Sequence, residues 1–231
     1  MQRPVALLVW LLSITGSAAA QEHPATAPPK VQTPESQAAM TPAQALERLA
    51  AGNARFVSNA TKARNWSAKV VATASGQYPF AAVLACMDSR APIEIVFDQG
   101  IGDLFGLRVA GNVVNDDELG SLEYAAKVGA KLVLVMGHTR CGAVQGAIDR
   151  VELGNLTGLL AKIRPAIGAA GCQSSNDEAC VTKVAEQNVR LSMREIRARS
   201  AYLTKGLDEG KLELRGAMYD VATGRVAFLA P

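Results

Sequence analysis

Two short runs without a polar side chain constrain this chain most: Ala81-Ala82-Val83-Leu84-Ala85, and Leu132-Val133-Leu134-Val135-Met136 within the segment 131–137. Runs so short and so apolar read as strands buried on both faces, the habit of a parallel sheet covered by helices. What lies between them agrees. Residues 117–128 have helical spacing, with Leu119, Leu122, Tyr124, Ala125 and Val128 as the apolar face and Gly129 as the stop. Strand, helix, strand in succession argues an α/β fold, because a parallel pair needs a crossover long enough to hold a helix.

The rest of the chain extends this pattern. Thr41-Pro42 caps and opens a helix over 42–57. Residues 58–79 are polar and irregular, with Trp66 expected to anchor them to the body. Residues 103–109 form a weaker strand, and helices are predicted at 141–149, 156–167 and 181–198. From 210 to the end the pattern changes to a strand, a Thr223-Gly224 turn and a second short strand, a terminal hairpin. The expectation is a mostly parallel β-sheet flanked by helices, closed by a C-terminal strand and hairpin.

The first forty residues have a different character. A basic start, Met1-Gln2-Arg3, precedes the apolar run 5–14 and small residues ending Ala18-Ala19-Ala20. That is the pattern of a signal peptide over 1–20, too short to serve comfortably as a membrane span. Residues 21–40, rich in Pro, Ala and Gln, read as a flexible tether. Residues 41–231 then form one domain, in the periplasm or secreted, with no membrane partner once the signal is cleaved. The net charge of +3 and an aromatic content of 5% argue against a nucleic-acid partner.

Each buried run ends on a residue that carries chemistry. Cys86 follows the first and His138 the second, with Cys141 three positions on. Two thiolates and one imidazole make a three-ligand zinc set that leaves a fourth position for water, as catalytic zinc sites do. In an open parallel sheet such sites gather beyond the carboxyl ends of the strands. Asp88 lies on the same side as Cys86 of an extended segment, and the Arg90 guanidinium can fork onto its carboxylate. The remaining cysteines, Cys172 and Cys180, lie in a polar stretch. In an exported protein they suggest a disulfide, with free thiols or a second metal site as alternatives. Zinc would also protect Cys86 and Cys141 from oxidation there.

With these residues in place, the chain resembles an exported bacterial β-class carbonic anhydrase. The pattern C-x-D-x-R followed by H-x-x-C is met by Cys86, Asp88, Arg90, His138 and Cys141. The resemblance continues through 97–105, 108–112, 121–125 and 142–144. It implies reversible hydration of CO2 to bicarbonate and a proton, one zinc per subunit, and a homodimer or higher even-numbered homo-oligomer. It also implies a substrate pocket of Gln77, Phe105, Ala110, Tyr124 and Gly142, part of it supplied by a neighbouring subunit. Asp88 and Arg90 would be catalytic. Val83 stands where some bacterial members carry a regulatory Trp, which favours a form with Asp88 held off the metal.

Three alternatives share these residues. The same fold could hydrolyse CS2 or COS. The site could be a non-catalytic zinc module with Asp88 as fourth ligand. A zinc dehydrogenase would also use Cys and His ligands, but no G-x-G-x-x-G follows a strand to receive a dinucleotide. His23 and His138 are the only histidines, so the domain holds no second histidine to shuttle the proton. Two thiolates neutralise Zn²⁺ formally, so the water should be acidified less than by three histidines, and the rate should climb through neutral to alkaline pH.

Overall fold

The structure is a computed structural model, and it describes residues 29–230. The expected signal peptide and the first part of the expected tether lie outside these residues.

At the centre is a five-stranded sheet in the order β2-β1-β3-β4-β5. Its strands are β1 (Ala81–Ala85), β2 (Leu104–Arg108), β3 (Leu132–His138), β4 (Glu213–Tyr219) and β5 (Val226–Phe228). The pairs β1–β2, β1–β3 and β3–β4 are parallel, and only β4–β5 is antiparallel. The predicted fold class and terminal hairpin are therefore both present.

The alternation of strand residues explains why both apolar runs lack polar side chains. From β1 and β3, Ala81, Val83, Ala85, Leu132, Leu134 and Met136 face one side. There they meet α2 (Pro42–Val57) and α4 (Ile93–Val96), through Ala45, Leu49, Ile93 and Val96. Ala82, Leu84, Val133 and Val135 face the other side and meet α5 (Asp116–Lys127), α9 (Glu178–Arg199) and α10 (Ala201–Asp208). Gly137 lets α9 approach β3 closely: a Cβ there would meet Val189 Cγ2 at 2.7 Å.

Several expectations are corrected. The tether does not stay flexible to residue 40, because Pro34–Ala39 form α1. Thr33 and Ser36 make a reciprocal cap there, and buried Gln37 donates to the Pro79 carbonyl at 2.8 Å. Residues 58–79 contain a further helix, α3 (Trp66–Thr73), capped by Asn65. Trp66 does not anchor it: the residue is 52% exposed, and Lys69 is the residue of α3 that is buried. The single helix expected at 156–167 is two, α7 (Gly154–Ala161) and α8 (Arg164–Ala170), because Pro165 starts a new helix where the first has ended. On α5, Leu119, Leu122 and Ala125 are buried while Tyr124 faces out, 56% exposed.

Candidate metal centre and active site

Cys86 is the first residue beyond β1, and His138 is the last of β3. The strands are adjacent and in register, Ala85 beside Met136, so the two residues emerge together at the carboxyl edge of the sheet. Thr139 N–H still pairs with the Tyr219 carbonyl at 2.9 Å. Arg140 then turns the chain with φ 54°, and Cys141 becomes the N-cap of α6 (Gly142–Ile148). One strand end and one strand-to-helix turn thus bring two cysteines and a histidine together.

The three donor atoms lie within 4.8 Å of one another. The two sulfurs are 4.0 Å apart, close to the roughly 3.8 Å spanned by two thiolates on a tetrahedral zinc with bonds of about 2.3 Å. His138 is 1% exposed, Cys141 2% and Cys86 4%. His138 Nδ1 lies 2.8 Å from the Thr139 carbonyl, which can only accept, so Nδ1 carries the proton and Nε2 presents a lone pair. That Nε2 is a buried polar atom without a partner among the described residues. A buried acceptor left open costs free energy unless something fills it. The donor set, its spacing and the open nitrogen all fit a zinc ion.

Without an ion, the three groups hold protons among themselves. The neighbouring Cys141 thiol lowers the Cys86 pKa to about 4, against burial, with His138 and the Gly111 N–H assisting. Cys141 is pushed up by the same contact and by burial, since one shared proton serves both sulfurs without metal. Burial opposes a charged His138, yet the Cys86 sulfur, the Thr139 carbonyl and Asp88 together outweigh this and raise its pKa.

Asp88 stands beside the set, Oδ2 at 3.8 Å from His138 Nε2. Its carboxylate is occupied elsewhere. Oδ1 accepts from the Arg90 backbone N–H and Nε, both at 2.9 Å, and Oδ2 from Arg90 Nη2 at 2.7 Å. The forked guanidinium lowers the Asp88 pKa to about 2. Asp88 is absent from the cluster of metal-binding atoms. The reading in which it is a fixed fourth ligand is not favoured by this arrangement. Val83 is wholly buried in β1, inside the sheet core.

Comparison with known proteins decides the family. The carbonic anhydrase family model matches residues 81–226. Carbonic anhydrase 2 of Mycobacterium tuberculosis is 34% identical over 193 residues, covering 80% of this chain and 91% of that protein. The chain belongs to the carbonic anhydrases of the β class. A carbonic anhydrase of Mycolicibacterium smegmatis is also 34% identical, over 80% of this chain and 92% of its own. The β-carbonic anhydrase CafA of Aspergillus fumigatus superposes with TM-score 0.64 at 28% identity, covering 71% of this chain and 85% of that one. The chain is thus an enzyme of CO2 hydration.

Of the pocket residues expected in a β-carbonic anhydrase, only some gather at the metal centre of one chain. Ala110 begins the 3-10 turn Ala110–Asn112, whose Gly111 N–H donates to Cys86 Sγ at 3.3 Å. Gly142 directly follows Cys141, with open space where a Cβ would stand. Phe105 and Tyr124 pair edge-on, ring centroids 5.9 Å apart, in a groove of about 560 Å³ along the outer edge of β2. Phe105 lies in register with Ala82, four residues before Cys86, so about 13 Å back along the sheet. Gln77 is exposed in the loop before β1 and makes no side-chain hydrogen bond among the described residues.

Sequence reasoning missed two supports. Arg108 Nε donates to the Cys86 carbonyl at 3.2 Å and its Nη2 to the Asp88 carbonyl, fixing the segment between ligand and carboxylate. The Tyr219 hydroxyl donates to the Arg90 carbonyl at 3.2 Å. Arg108 pairs with Ala85 across β1–β2, so its role becomes readable only once that register is known. Cys172 and Cys180 are disulfide-bonded across the α8–α9 turn, Cα atoms 5.3 Å apart.

Proposed function

We propose that this carbonic anhydrase is a zinc enzyme with one ion per chain, held by Cys86, His138 and Cys141, exported from a bacterial cell and working as a homo-oligomer. The observation that carries the zinc reading is the unpartnered, buried His138 Nε2 facing two sulfurs 4.0 Å apart. Zinc there supplies Lewis acidity that yields a nucleophile from water near neutral pH, chemistry best known from carbonic anhydrases that hold the ion with three histidines.

The chain's own residues do the rest. Asp88, ionised and tied to Arg90, accepts a hydrogen bond from the attacking water and so turns its lone pair toward CO2. Arg90 keeps that carboxylate off the metal, and Arg108 and Tyr219 keep Arg90 and the backbone in place. Ala110 leaves an apolar face for a nonpolar substrate. The proton leaves by buffer or a water chain, since His138 is engaged as a ligand.

The oligomer is supported by what one chain lacks. Phe105 and Tyr124 line a groove on an unpaired sheet edge away from their own metal centre, and a second copy can bring that edge to it. Export is supported by the leader pattern of residues 1–20 and by the disulfide, a bond favoured outside reducing compartments.

The test is a CO2 hydration assay together with metal analysis on residues 21–231, with CS2 and COS as alternative substrates. One zinc per chain and CO2 turnover are expected. A folded protein that binds no zinc, or turns over CS2 and not CO2, would overturn this reading. Retention of residues 1–20 in protein from an exporting host would sink the proposal of export.

A further inference from the structure

Where α9 packs inward it is apolar: Val181, Val184, Ala185, Val189 and Ile196 are buried. Two polar residues interrupt that face, Asn188 at 1% exposure and Ser192 at 3%. They are one helical turn apart and so point the same way. Neither is a good helix former, and a buried amide or hydroxyl is costly unless it is bonded. Both are bonded, and to consecutive residues. Asn188 Nδ2 donates to the Gly111 carbonyl at 2.6 Å, and Ser192 Oγ donates to the Asn112 carbonyl at 3.0 Å.

The turn they hold touches the metal centre from its other side. Gly111 N–H donates to Cys86 Sγ at 3.3 Å. Gly111 has φ 68°, and a Cβ there would meet Ile163 Cδ1 at 2.5 Å, so only glycine fits this shape. The Asn112 N–H closes the turn on the Val109 carbonyl at 3.0 Å, and the two anchored carbonyls hold it from the other side. A hydrogen bond to a thiolate withdraws charge from sulfur, and a less generous sulfur leaves its metal more acidic.

We propose that Asn188, with Ser192 beside it, is a positioning residue for the reaction: it fixes the 110–112 turn so that the Gly111 N–H stays on the Cys86 sulfur and limits the charge that sulfur gives to the metal. Asn188 is not part of the donor set. The proposal rests on Cys86 being a zinc ligand.

The test is Asn188→Leu, which keeps the branched four-atom side chain and removes the donor, studied in the full mature chain loaded with cobalt(II) and, separately, with zinc. The thiolate-to-cobalt charge-transfer band should move to longer wavelength. With zinc, kcat/KM at neutral pH should fall roughly tenfold or more and return to the wild-type value at alkaline pH. A folded variant with an unmoved band and an equal loss at every pH would overturn the proposal and leave the zinc reading standing. If Asn188→Leu does not fold, Ser192→Ala decides: a smaller shift in the same direction supports the proposal, and an unmoved band overturns it. Wild-type protein that takes up neither cobalt nor zinc would overturn the zinc reading, and this inference with it.

Discussion

At the scale of single residues, two carboxylates have different tasks, one at the site and one away from it. Asp88 is partly open to solvent and gripped by Arg90, which lowers its pKa to about 2. It is ionised throughout the working range, so the pH dependence of the rate belongs to the metal centre and not to Asp88. Asp88→Ala should retain one zinc per chain while kcat/KM falls about 100-fold or more, the usual worth of a positioned proton acceptor. Zinc loss on dialysis of that variant would instead make Asp88 a ligand. Asp98 does structural work. Its side chain is fully buried, bonded by Arg55 Nε at 2.5 Å and by Arg64. Burial would raise its pKa, but the two guanidinium groups and the Lys62 N–H outweigh it and lower it. A carboxylate depressed in the folded state adds stability above its unfolded pKa of about 3.9, and that stability is lost as pH falls through the folded value. Asp98→Asn should therefore cost about 3–5 kcal/mol at neutral pH, as breaking a buried ion pair does. Chemical denaturation at pH 7 and pH 3 would check it: the gap between wild type and variant should narrow at the lower pH.

Among the elements, the buried strands were legible because no solvent-facing side interrupts them. β1 and β3 lie between two helical layers, so all five residues of β1 and all seven of β3 are buried. Their carboxyl ends then pointed to the site. Elements that bury little left little trace. Helix α3 buries Lys69 while leaving Val70 and Val71 exposed, so its apolar residues follow no inward stripe. Helix α10 was hidden for another reason. Ser200 closes α9 and caps α10, its Oγ accepting from Leu203 N at 3.1 Å, so one residue acts as both stop and start. Pocket aromatics were legible as residues but not as a place, since nothing in the chain states which end of the sheet Phe105 occupies. The α8–α9 turn carries the prediction at this scale. Cys172 packs into the cluster that holds Cys86 and Cys141, and its bridge fastens the start of α9. Replacing Cys172 and Cys180 by Ser should lower unfolding stability by about 2–3 kcal/mol, the chain-entropy value for so short a loop. Zinc content should not change, because neither sulfur belongs to the donor set. Denaturant midpoints and metal analysis on the same sample separate the two effects.

For the whole molecule, the scale of interest is where the pocket closes. One chain assembles the ligands, Asp88, Arg90, Ala110 and Gly142 at the carboxyl edge of its sheet, while Gln77 stands exposed before β1 and Tyr124 faces outward beside β2. If the site is completed across an interface, two differently crippled chains should repair each other. Cys86→Ala removes a ligand and leaves the outer edge intact. Gln77→Ala with Tyr124→Ala leaves the ligands intact and spoils the edge, and both residues are exposed enough that the fold should tolerate the change. Each variant alone should be nearly inactive. After dissociation and random reassociation, half of the dimers pair one chain of each kind. Such a pair contains one site with an intact metal centre and an intact edge, so about a quarter of the wild-type activity should return. Activity that stays at the sum of the separate variants would mean that each chain completes its own pocket. The 5.9 Å Phe105–Tyr124 pair would then be ordinary surface packing.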